Sequence, residues 1–138
     1  MERHLEIVGV LLIALALIHI IFPRYFNWHE ELKNVSLITR QILHVHTFFI
    51  ALTVFLMGVL CLTSAHDLAA TPLGRKIALG LFCFWGCRLV IQFFGYSSKL
   101  WKGKLFETCA HVAFVLLWAY LTTVFLLTGL GGEKSIIA

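Results

Sequence analysis

Seven consecutive residues, Arg40-Gln41-Ile42-Leu43-His44-Val45-His46, place an arginine, a glutamine and two histidines at the opening of an apolar run. Leu37 and Ile38 precede them, and the chain from Thr47 to Leu62 is almost entirely hydrocarbon. Ionisable side chains within such a run are expensive to hold in a bilayer and usually mark a site. Imidazoles can ligate haem iron or another transition metal. Arginine, glutamine and histidine can also hydrogen-bond an oxygen-bearing headgroup.

Groups of the same kind recur at matching places. His19 lies near the end of the first apolar segment, Arg88 and Gln92 in the second half of the third, and Glu107 and His111 at the start of the fourth. If the segments are helices of alternating direction, all of these residues share one side of the membrane, with Arg88 somewhat deeper. At about 1.5 Å per residue, His19, His44, Gln92 and His111 then sit roughly 6–9 Å inside the helix ends. The opposite half of the molecule has almost no ionisable side chains within its apolar segments. A faint internal repeat aligns Arg40–Val45 with Glu107–Val112, and Ile18–Phe22 with Ile91–Gly95. Two helix pairs related by an axis along the membrane normal would place His44 and His111 at equal depth on facing helices.

Three chemistries fit these residues. The leading one is electron transfer through haem b or a quinone. His44 and His111 would supply two axial imidazoles, Arg88 or Arg40 would pair with a propionate, and Phe48, Phe84, Trp85 and Phe114 would line the ring. In architecture and in this histidine pair, the pattern resembles the four-helix cytochrome b membrane anchors of respiratory enzymes. A quinone headgroup would use the same His, Arg and Gln92 donors. The alternative is a metal-dependent membrane enzyme acting on a lipid-like substrate, with a single transition-metal ion held by Glu107 and His111 at i and i+4 and by His19, His44 or His46. His44 and His46 are two residues apart on a helix and point in nearly opposite directions, which weakens that set. A third alternative is a non-catalytic accessory subunit, in which Arg40 or Arg88 pairs with Glu107 and the polar groups lock helices together.

Composition sets the elements that must position these side chains. The chain has 138 residues, of which 60% are hydrophobic and 13% charged, too apolar for a soluble domain of this size. Four spans are expected, at about 5–22, 37–63, 73–96 and 105–130, forming an all-α integral membrane up-down bundle in a single domain. No small-x-small cleavage site follows Phe22, so the first segment is read as a span rather than a signal peptide. Pro23 is expected to end that span. Tyr25, Trp28 and Leu32 recur at helical spacing between the first two spans and predict a short interfacial helix. Ser36 and Thr71 are expected N-caps, the latter followed by Pro72 at the first helical position. Residues 65–71 read as a polar turn, Trp101 as an interface anchor, and Gly129, Gly131 and Gly132 as the stop of the last span.

Cys61, Cys83, Cys87 and Cys109 lie in apolar segments without CxxC spacing and are expected to be buried thiols. The net charge of +4 is spread over short connections and is not a nucleic-acid footprint. Arg24, Lys33, Arg40, Lys99, Lys102 and Lys104 on the side of the polar cluster outnumber Arg3, Arg75, Lys76 and Lys134 opposite. That balance leans toward a cytoplasmic site with both termini outside. The expected partners are the lipid bilayer and other membrane or redox subunits, and a homo-oligomer is compatible with the same surfaces.

Overall fold

The computed structural model describes residues 1–97 and 102–131. These residues form six helices: α1 Glu2–Tyr25, α2 Trp28–Glu31, α3 Leu37–Thr63, α4 Ala65–Ala70, α5 Pro72–Phe94 and α6 Leu105–Leu130. No strand occurs among the described residues. Four helices (α1, α3, α5 and α6) are long and apolar enough to cross a bilayer. Their outward faces carry Val10, Leu17, Ile20, Phe48, Phe49, Phe94, Leu105 and Phe106, all exposed. Apolar area on that scale is stable against lipid and unstable against water. The chain thus has the build of a multi-pass membrane protein. Trp101, Lys99, Lys134 and the C-terminal tail lie outside the described residues.

By backbone proximity the chain falls into two units, Arg3–Ala65 and Met1–Glu2 with His66–Ala138. In the first unit, α1 and α3 cross antiparallel at Gly9 and Gly58. A methyl group added at Gly9 would lie 2.8 Å from the Gly58 carbonyl oxygen, and one at Gly58 would lie 2.9 Å from the Gly9 carbonyl oxygen. The absence of side chains there lets the backbones touch, which is how helices gain packing energy where lipid removes the hydrophobic drive. In the second unit, α5 and α6 also run antiparallel. Gly129 packs against Leu79 and the Arg75 backbone at one end, and Gln92 meets His111 at the other.

The helix ends follow local chemistry. Ser36 accepts a hydrogen bond from Thr39 N–H at 3.4 Å, and Thr71 accepts from Gly74 N–H at 2.9 Å with Pro72 opening α5. Both match the expected caps. Three boundaries differ from expectation. α1 runs through Pro23 to Tyr25, because a proline in the last turn forfeits one backbone bond and leaves the rest of the helix intact. It ends where Asn27 takes the left-handed conformation at φ 47°, which asparagine tolerates better than most residues. Residues 65–70 form α4 rather than a polar turn: Ala65, Ala69 and Ala70 favour helix, and Leu68 is buried. The segment after α1 contributes only the single turn α2, with Glu30 between His29 and Lys33. Its carboxyl is held below the ordinary value, first by the Lys33 hydrogen bond and then by His29.

Candidate functional site in the α5–α6 hairpin

The step of seven residues organises this site. It returns a side chain to nearly the same face of a helix after two turns. On α5, Trp85 and Gln92 are so related, and on α6 so are His111 and Trp118. The antiparallel register then pairs Gln92 with His111 and Trp85 with Trp118. Gln92 is only 6% exposed, and it is the one buried side chain in the hairpin that carries a full amide.

Every polar atom of that amide is engaged. Arg88 Nη1–H donates to Gln92 Oε1 at 3.1 Å, Trp118 Nε1–H donates to the same oxygen at 3.3 Å, and Gln92 Nε2–H donates to His111 Nδ1 at 2.9 Å. Guanidinium and indole nitrogens can only donate, so they fix which end of the amide is oxygen. The amide nitrogen must then face His111, and Nδ1 must offer its lone pair. Neutral His111 therefore carries its proton on Nε2. The Arg88 carbon Cζ stands 4.8 Å from the Trp118 ring and 5.7 Å from that of Tyr96. Such contacts with aromatic faces partly compensate a cation withdrawn from water. Arg88 makes no ion pair among the described residues.

An aromatic stack walls this node. Trp118 lies nearly parallel to Trp85, with centroids 5.2 Å apart and planes 15° apart, and nearly parallel to Phe114, at 5.6 Å and 17°. Trp85 is buried, yet its Nε1–H has no hydrogen-bond partner among the described residues. An indole N–H held in the interior without an acceptor costs about 1–3 kcal/mol.

The α1–α3 unit presents its polar residues differently. His44 and His46 are exposed on α3, Arg40 and His19 are half-buried, and Gln41 is exposed. His19, His44 and His46 each donate Nδ1–H to the carbonyl of the residue four before, Leu15, Arg40 and Ile42, at 2.8–2.9 Å. A carbonyl only accepts, so these three rings keep the Nε2 lone pair, the tautomer opposite to that of His111. Trp28 of α2 sets its ring edge-on to His44 at 5.3 Å. Arg40, Gln41, His44 and Val45 surround a shallow surface depression.

Of the residues singled out from sequence, Arg88, Gln92 and His111 thus converge on one hairpin. Glu107 lies exposed at the start of the same α6. Among the described residues, no group of three or more His, Cys, Asp and Glu side chains is arranged to hold a metal ion. Cys61 is buried as expected, whereas Cys83, Cys87 and Cys109 are exposed on the chain's surface, which in a bilayer is the face turned to lipid or to neighbours. Sequence reasoning missed Trp118. The signal was present as its seven-residue spacing from His111, matching that between Trp85 and Gln92. No known protein family, curated protein or solved structure matches this chain.

Proposed function

We propose that the protein is a multi-pass membrane component of quinone-linked electron transfer, in which Arg88, Gln92 and His111 hold the oxygen-bearing headgroup of a quinone. The observation that carries this reading is Arg88. It sits six residues before the end of α5, about 9 Å into the helix. Its charge is met by an amide oxygen and aromatic faces, with no carboxylate among the described residues. An arginine at that depth is costly and calls for a partner rich in oxygen. Its fork of donors suits a quinone carbonyl, and hydrogen bonds to that oxygen favour the reduced, electron-richer form. The electrons would come from a redox subunit, since the chain carries no nucleotide-binding motif.

Haem b shares the propionate-binding logic of Arg88 and the Nε2 lone pair of His44. The His111 tautomer favours the quinone over it, because a protonated Nε2 is a hydrogen-bond donor and not an iron ligand. In the same reading, the four long helices form an up-down bundle, α2 lies at headgroup level beside His44, and the polar end faces the cytoplasm.

The test is the composition of the protein purified in mild detergent from quinone-containing membranes. Quinone is expected in the organic extract of the wild type and lost from Arg88→Leu, with no α and β bands after dithionite reduction. Haem bands would replace the quinone by haem b. Neither quinone nor haem would leave an accessory subunit whose polar residues lock helices together.

A further inference from the structure

Trp85 is the buried polar group that the hydrogen-bond network of the node does not use. Its ring stacks on Trp118, the residue whose N–H meets the Gln92 oxygen and whose face meets Arg88. The two indoles are therefore neighbours in one wall, one with its N–H satisfied and the other without an acceptor among the described residues. Buried donors are almost always paired in folded proteins, and an exception calls for an explanation such as a bound group. Trp85 also precedes Arg88 by one turn of α5, a rise of about 4.5 Å toward the middle of the span.

We propose that the indole N–H of Trp85 donates a hydrogen bond to the second carbonyl oxygen of the bound quinone, making the ligand a para-quinone gripped at both ends. This rests on the quinone reading above. Arg88 takes the carbonyl nearer the end of α5, and Trp85 takes the opposite carbonyl, deeper in the span. A single-headed acceptor such as a fatty carboxylate can satisfy Arg88 but leaves Trp85 unpaired. A ring with acceptors on opposite edges satisfies both.

The experiment uses the full chain, labelled with ¹⁵N at the indole nitrogens and titrated with decylubiquinone in detergent. Trp85→Phe identifies the Trp85 resonance and keeps the stacked ring while deleting the donor. The Trp85 N–H resonance of the wild type is expected to move downfield on binding, and Trp85→Phe is expected to bind roughly five- to tenfold more weakly. Saturable binding by the wild type with an unmoved Trp85 resonance would overturn this assignment while leaving the quinone site standing. No saturable binding by the wild type would remove both. Should Trp85→Phe fail to fold, Trp28→Phe, Trp101→Phe and Trp118→Phe assign the other three indole resonances and leave the fourth to Trp85, so the wild-type shift still decides the matter.

Discussion

At the scale of single residues, Gln92 governs the polarity of the whole node. Its oxygen is claimed by two groups that can only donate, which turns its nitrogen to His111 and settles that ring's tautomer. Gln92→Leu keeps roughly the volume but strands the Trp118 N–H and one guanidinium donor. We expect a loss of about 1–3 kcal/mol, read as a lower thermal midpoint in detergent, whereas Gln92→Glu keeps an acceptor for both donors and should lose less. Arg88, Gln92 and His111 were legible in the sequence, because polar residues in an apolar run stand out. What the sequence did not show was which of them would be interior. The stretch from Arg40 to His46 is the more conspicuous, yet His44 and His46 are exposed and satisfy Nδ1 on their own helix. Burial depends on which face of a helix meets its neighbour, and in a chain apolar all round that face carries little periodic signal.

At the scale of helices, the close crossing of α1 and α3 depends on Gly9 and Gly58. A side chain at either position meets the backbone carbonyl of the other, which cannot swing aside. Gly58→Leu should therefore separate the helices. A destabilisation of at least about 1–3 kcal/mol is expected in a thermal denaturation followed by reactivity of the buried Cys61 thiol. The spans and caps were readable from apolar length and from Ser36 and Thr71. The path through Pro23 and the short α4 were not, since a proline or a polar turn reads as a stop unless the cost of one lost bond is weighed against the rest of the helix.

Helix α4 also offers a titration. His66 donates Nδ1–H to the Glu2 carboxylate at 2.8 Å, and this hydrogen bond, with the attraction of the same charge, raises the His66 pKa. A raised folded-state pKa stabilises the fold fully below the unfolded histidine value and loses that contribution as pH rises through the folded value. A ¹H–¹³C imidazole titration should find His66 titrating above an ordinary histidine, and Glu2→Gln should return it toward normal. The contact is solvent-exposed, so only a small effect on the thermal midpoint is expected.

At the scale of the molecule, the chain is organised by position along its hairpins. In α5–α6, Arg88, Gln92, Glu107 and His111 all lie toward the end where α5 finishes and α6 begins. In α1–α3, His19, Arg40, His44 and His46 lie toward the corresponding end. Between these residues and the charged far ends (Glu2, Arg3 and Glu6 on α1, Arg75 and Lys76 on α5), the middle of each long helix is uncharged and presents hydrocarbon outward, which suits lipid. Under the quinone proposal, a headgroup held by Arg88, Gln92 and His111 near this end of α5–α6 would exchange with one leaflet without crossing the hydrocarbon. The most direct test is a calorimetric titration of decylubiquinone into the purified wild type and into Arg88→Leu. Saturable binding to the wild type, weakened roughly tenfold or more in the variant, is the predicted result. Equal binding by both proteins, or none by the wild type, would contradict it.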